Sequence, residues 1–545
     1  MNSDRRITLA LGVALLLLYA ASHSANLSSA HDAANYLRMI RDGDWFHPHH
    51  LFFNGAAALW IGAWQALLPS LPAITLVAWL NAVFGAGCVM LAHMLLRERI
   101  GLSPRAALIA ALLPAFSFGL WFYSATVEVY VIPLFFLLAA LYLLTAEEPP
   151  MKVVLLAALM HALAMLFHQV HVLFTVPALL LIYLRHRRRG GPPWQDGPRR
   201  PAIAYLLTAG FGAVIPYLAV GALVLGHSTP RAYFAWLFRY AGNSDFWHAP
   251  GLSSLVKAVI GFGKSIIGGE FLFAIADVRA LMARLLPHNW LADEQFLVRH
   301  MPEWMAFALA ALAAVFVLLI AWLLLRASWR TAFRRNPDVL SGIAAFFLTY
   351  TLFFLFWEPA NPEFWIPQSV LFFLFLSAAA LGAGREERQR RHRALLHAAV
   401  LLLLVINAAG SIRWLRAGDG DMYAVQARAM SAAAGDDGVV LLVDPWILQE
   451  IIALESSSRV LSVTAALGEA QGDVELAWKR LQYRLEALQK QGVAVVIAGA
   501  VLNPPDALLH RHGEALVGVG EKIRAEYGAR WVVMRNSAGE FYHIR

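Results

Sequence analysis

From residue 6 to residue 409 long apolar runs recur, and the positive residues between them concentrate in short loops. The runs are near the length at which a helix rising about 1.5 Å per residue crosses ~30 Å of hydrocarbon. Taking the basic loops as cytoplasmic predicts spans near residues 6–23, 73–96, 106–123, 127–145, 152–168, 171–185, 201–225, 304–325, 339–357, 365–383 and 394–410. That makes eleven, with the N-terminus inside. Leu51 to Leu68 is also apolar, but counting it as a span would put Arg97, Arg99 and Arg105 outside and invert every later basic loop. It is read instead as a helix lying at the interface. Arg185 to Arg189, Arg326 to Arg335 and Arg385 to Arg393 then all face the cytoplasm.

The pattern changes near Gly410. Beyond it, short β-branched runs (Val439 to Val443, Val493 to Ile497, Trp531 to Val533) alternate with helical stretches such as Asp473 to Gln491. The expected fold class is a polytopic α-helical membrane protein, with a membrane body over residues 1–410 and a small aqueous α/β domain over residues 411–545. No internal repeat is visible, and Glu147-Glu148-Pro149-Pro150 and Gly190-Gly191-Pro192-Pro193 read as loop punctuation.

Composition agrees with this placement. The chain is 59% hydrophobic and 15% charged, where a soluble domain carries about a quarter charged residues. The mean hydropathy is +0.58. The net charge of +8 sits in loops that report orientation, so nucleic acid is not an expected partner. Cys88 is the only cysteine, which rules out an intramolecular disulfide and a cysteine-based metal cluster. Arg5-Arg6 before Ile7 to Ala21 has the order of a signal peptide, but the many later spans favour an uncleaved first helix.

Candidate chemistry lies in the outer loops. The first, His31 to His50, is the densest in titratable groups. Asp32, Tyr36 and Met39 share one face of a short helix, and Asp32 at its start is equally an N-cap or a functional carboxylate. Asp42-Gly43-Asp44 is turn chemistry, and His47, His49 and His50 are either wet interface side chains or ligands of a divalent metal. Glu128 stands at the mouth of a span, where a carboxylate is costly unless solvated or paired. His168 and His171 bracket another tight turn. Aromatic belts account for Trp357 and Trp365, but not for Glu358, Asn361 and Glu363 between them. Arg231, Arg239, Lys257 and Lys264 lie among aromatic residues, where cations snorkel or meet lipid phosphates.

This layout resembles the GT-C superfamily of membrane glycosyltransferases, which includes protein O-mannosyltransferases and the aminoarabinose transferases acting on lipid A. The resemblance covers most of residues 1–410: an acidic first outer loop, interfacial helices before the second span, a second acidic position at Glu128, and a soluble C-terminal part. His47-Pro48 with Glu128-Val129-Tyr130 is most similar to the branch with His-Pro in this loop. Ala33-Ala34 follows Asp32 where many members have a further acidic residue, a departure that bears on any metal.

The resemblance implies an inverting transfer of a sugar from a polyprenyl-phosphate donor to an extracytoplasmic acceptor, by a multi-pass protein of the cytoplasmic (inner) membrane in contact with its lipids. Asp32 and Glu128 would be catalytic. Asp44, His47, His49, His50, His168, His171, Arg231, Arg239, Lys264, Glu358, Asn361 and Glu363 would bind substrate, the cations holding the lipid phosphate. A transporter or flippase of a lipid-linked saccharide is the alternative from another class; its charges would lie within the membrane and its halves would repeat.

Overall fold

The computed structural model describes residues 3–187, 199–238, 246–286, 288, 291–382, 386–444 and 446–544. Arg239, Tyr240, Arg188, Arg189, Arg385 and the Gly190-Gly191-Pro192-Pro193 loop lie outside them. The chain forms two compact units. One combines Met1–His23, Ile40–Gly269 and Leu309–Ile412; the other combines Ser24–Met39, Glu270–Ala308 and Arg413–Arg545.

The first unit is helical. Among the described residues, seven helices are long and apolar enough to cross a membrane, and Pro104–Phe116 with Phe118–Ser124 makes an eighth if the bent pair is one span. An eleven-span reading needs Ser3–Ala21, Val131–Leu144 and Met151–Phe167 as well. Phe53–Gln65, the helix expected at the interface, has 13 residues and is about 20 Å long, one residue shorter than Val131–Leu144.

Two expected spans depart from straight helices. The run over 106–123 is bent by 70°, because Ser117 is extended at φ −63° and ψ 140°. Pro114, lacking an N–H, weakens the helix just before it. Asn407 bonds the freed Phe116 carbonyl at 2.7 Å and that of Ile266 at 2.9 Å. The run over 127–145 becomes helical only at Val131. Its non-helical start is satisfied by Asn81, whose Nδ2 donates at 2.7 Å to the carbonyls of both Thr126 and Glu128. Non-helical backbone inside such a bundle needs a side-chain partner of this kind.

Close approach in the bundle depends on small residues. Gly85 of the helix Ala73–Met94 faces Ser124 and Tyr19 so tightly that a Cβ there would overlap the serine.

The second unit carries a five-stranded sheet: β1 (Val439–Leu442), β2 (Arg459–Ser462), β3 (Val495–Ala498), β4 (Trp531–Asn536) and β5 (Gly539–Ile544), in the order β2-β1-β3-β5-β4. β1 pairs parallel with β2 and β3, and β5 pairs antiparallel with β3 and β4. The expected runs in this part form β1, β3, β4 and the helix Val474–Lys490, which Asp473 caps. β1 and β3 are buried along their whole length, as parallel strands covered on both faces are.

The loop Ser24–Met39 is tied to the C-terminal part of this unit. Asp421, fully buried, accepts from Leu27 N at 2.7 Å and Ser28 N at 3.0 Å through Oδ2. Its Oδ1 accepts from Ala424 N at 2.9 Å, capping the helix Met422–Ala434. Ser24 Oγ donates to the Leu415 carbonyl at 2.7 Å.

Candidate functional site

In the first unit the loop His47 to His50 is held against the turn after the helix Met151–Phe167. Phe52 N donates to Leu166 O at 3.0 Å, Gln169 N to His49 O at 2.9 Å, and Tyr217 OH to Pro48 O at 2.8 Å. The rings of His47 and His50 stack at 4.3 Å between centroids, and His49 lies 6.1 Å from His168. His168 continues the contacts to His171 at 5.7 Å and to Tyr130 at 5.5 Å. His171 Nδ1 shares a hydrogen bond with Tyr350 OH at 2.9 Å.

Tyr130 links this group to carboxylates. Its hydroxyl donates to Glu363 Oε1 at 2.6 Å, and Tyr123 OH donates to Glu363 Oε2 at 3.3 Å. Asn361 Nδ2 donates to Glu363 Oε1 at 2.8 Å and to Glu358 Oε2 at 3.5 Å. Glu358 sits in left-handed backbone, φ 39°, with its N–H bonded to Phe246 O at 3.0 Å. Glu128, 1% exposed, lies two residues before Tyr130, and its Oε2 accepts from Val129 N at 3.2 Å.

His47, His49, His50, His168, His171, Glu358, Asn361 and Glu363 therefore belong to one connected polar layer, joined through Tyr130. Asp44 is exposed and lends its carbonyl to Asn54 Nδ2 at 3.2 Å. Arg231 is exposed on the helix Pro230–Leu237, and Lys264 is half-buried on Leu252–Ile266. Sequence reasoning passed over Tyr123, Tyr130 and Tyr350 as site members, and Asn81 altogether. The signal available for Asn81 was a lone amide inside an apolar run.

Burial sets the electrostatics of the loop. It pushes the His49 imidazole down to about 4. His50 is pushed down too, first by burial and then by the imidazoles of His47, His168 and His49. At neutral pH both rings are uncharged and each offers one donor and one acceptor. The layer thus presents carboxylate, phenol, amide and neutral imidazole groups, a set suited to hydroxyl-rich ligands. Among the described residues no group of three or more His, Cys, Asp and Glu side chains is placed to hold a metal ion.

In the second unit Asp32 precedes the helix Ala33–Asp42, and its carbonyl accepts the first helical bond from Tyr36 N at 2.9 Å. Its Oδ2 accepts from Tyr36 OH at 3.5 Å. Burial raises the Asp32 carboxyl above the ordinary carboxylate range; the charge of Glu450 adds to this, while His31 and the Tyr36 hydrogen bond oppose it. Arg38 Nε pairs with Glu450 Oε2 at 2.6 Å. The residue that sequence reasoning missed here is Asp421, which fixes the backbone leading to Asp32.

Residues 9–190 match the family model described as "Protein O-mannosyl-transferase TMEM260 N-terminal domain". That stretch takes in Asp32, the histidines at 47, 49 and 50, Glu128, His168 and His171. No curated protein sequence matches the chain. Among solved structures, ArnT from Cupriavidus metallidurans bound to undecaprenyl phosphate aligns with a TM-score of 0.54 at 11% identity, over 98% of this chain and 97% of that one. The same protein in its apo state gives 0.53 at 11% identity, over 98% and 97%. At this identity the likeness speaks to architecture, and it extends across the full length of both chains. The chain is a multi-pass membrane protein with the GT-C fold.

Proposed function

We propose that this protein is an inverting glycosyltransferase that moves a sugar from a polyprenyl-phosphate carrier to an acceptor on the extracytoplasmic face of the inner membrane. The acceptor hydroxyl oxygen attacks the anomeric carbon, the bond from that carbon to the phosphate oxygen breaks, and the phosphate leaves with the electron pair. Asp32 takes the acceptor proton, a role that its raised carboxyl suits. Glu128 is the second carboxylate, orienting the acceptor or assisting the base. Arg231, Arg239 and Lys264 neutralise the departing phosphate. The histidine, tyrosine and Glu363 layer hydrogen-bonds sugar hydroxyls.

The observation that carries this reading is the match of residues 9–190 to an O-mannosyltransferase domain, with Asp32 and Glu128 inside it. The GT-C fold, shared with a protein solved on undecaprenyl phosphate, supports it.

The test is release of polyprenyl phosphate from a polyprenyl-phosphate sugar by purified protein in nanodiscs. Asp32→Asn is expected to lower turnover about a hundredfold or more. Equal turnover in wild type and Asp32→Asn would remove Asp32 from the chemistry. Movement of the labelled lipid across vesicles without covalent transfer would replace the transferase by a flippase.

A further inference from the structure

One edge of the second unit has chemistry that the transfer step leaves unused. β1 connects to β2 on one side through the helix Trp446–Glu455, and β2 connects to β3 on the other side through Val463–Glu469 and Val474–Lys490. The carboxyl end of β1 is therefore a topological switch point, where an open α/β sheet leaves room for a ligand.

Asp444 and Trp446 follow that end directly. Trp446 is 53% exposed, although it opens a helix whose Ile447, Ile451 and Ile452 are buried. Around the indole stand the Arg511 guanidinium, 5.7 Å from the ring centroid, and the His31 ring, 6.2 Å away and inclined by 18°. Asp444 Oδ2 lies 3.2 Å from His512 Nε2 and 3.9 Å from the Arg511 guanidinium. His512 ends the helix Asp506–His512, and Gly513 beyond it, at φ +83°, turns the chain away.

An exposed indole flanked by a guanidinium and an imidazole, with a carboxylate and a second imidazole grouped at that guanidinium, matches one ligand chemistry well. The apolar C–H face of a sugar ring packs on the indole, and neighbouring hydroxyls exchange hydrogen bonds with the carboxylate and the planar guanidinium. A peptide would more readily add along a sheet edge. Asp444 and Trp446 stand past the end of β1, which is the interior strand between β2 and β3.

We propose that Asp444, Trp446, Arg511, His512 and His31 form a saccharide-binding site, and that the saccharide bound there is the acceptor. The acceptor role, unlike the binding itself, rests on the glycosyltransferase reading. His31 adjoins Asp32 in sequence, so one loop carries both a wall of this site and the proposed base.

Full-length protein in nanodiscs is titrated with free neutral oligosaccharides and, separately, with a polyprenyl-phosphate sugar. Wild type is expected to bind a free saccharide saturably. Trp446→Ala should weaken that binding by about tenfold or more and Trp446→Phe by less. Asp444→Asn, a near-isosteric change, should also weaken it, and Tyr483→Ala, at an exposed aromatic on Val474–Lys490, should bind as wild type. Absence of saccharide binding by wild type, or equal affinity in wild type, Trp446→Ala and Asp444→Asn, would overturn the site. Weakened binding of the polyprenyl-phosphate sugar alone would assign the ring to the donor and overturn the acceptor role. Failure of the transferase reading would show elsewhere, as no release of polyprenyl phosphate by wild type.

Discussion

Replacing Asp421 by Asn tests how the loop bearing Asp32 is held. The wild-type carboxylate accepts three backbone N–H groups, from Leu27 at 2.7 Å, Ser28 at 3.0 Å and Ala424 at 2.9 Å, and it is fully buried. An asparagine keeps one carbonyl oxygen, enough for one side of this clamp, and turns an NH2 toward the other. Charge-assisted bonds contribute about 1.5–3 kcal/mol each, and a buried donor left unpaired costs about 1–3 kcal/mol. With one or two of the three bonds lost, the expected destabilisation is about 3 kcal/mol, concentrated on Ser24–Met39. Hydrogen–deuterium exchange reads this directly: the Leu27 and Ser28 amides should exchange about a hundredfold faster, while the amides of β1 and β3 change little. Sugar-transfer turnover should fall with them. Unchanged protection of Leu27 and Ser28 in a folded variant would refute the claim that Asp421 holds this loop.

Three further outcomes are expected. Because Asp32 must be ionised to accept a proton, turnover should fall as pH drops through its raised pKa; Glu450→Gln removes one cause of that rise and should move the acid limb of kcat/KM to lower pH, whereas an unmoved limb would detach Glu450 from the base. For His49, burial lowers the folded value to about 4 from the ordinary 6.5, so its contribution to stability is complete above pH 6.5 and is lost as pH falls toward 4. The shift corresponds to about 3 kcal/mol, and in thermal unfolding between those pH values His49→Gln should flatten the acid slope; equal slopes would count against burial of a neutral ring. Gly85→Val, placing a branched side chain against Ser124 and Tyr19, should destabilise the bundle by about 1–3 kcal/mol in the same assay, and a wild-type midpoint would show that these helices can part.

The apolar runs were legible because length and polarity alone report them, and helices stand at every expected position. The bend at Ser117 and the non-helical stretch before Val131 were not, since each depends on an asparagine far along the chain, Asn407 or Asn81, that takes over backbone bonds. The β-branched runs of β1, β3 and β4 were visible, whereas β2 (Arg-Val-Leu-Ser) and β5 (Gly-Glu-Phe-Tyr-His-Ile) carry mixed residues whose pairing only the sheet reveals. For the candidate site, density of titratable residues pointed to His47, His49 and His50. Their approach to His168 is set by main-chain bonds to Leu166 and Gln169, which leave no mark on side-chain pattern. Asp421 was invisible for the same reason: its partners are amides, and amides belong to every residue.

The clamp on Leu27 spans 394 positions of sequence. A ribosome adding about 5–20 residues per second needs roughly 20–80 s to travel from one partner to the other. During that interval the early helices can enter the bilayer and pack, but the segment with Asp32 lacks its Asp421 clamp. The clamp can close only once Asp421, about three quarters of the way along the chain, has been made. A polypeptide ending between Glu363 and Asp421 would carry every residue of the histidine layer and still lack this clamp. Synthesis past Asp421 is thereby a condition for the clamped form of this loop.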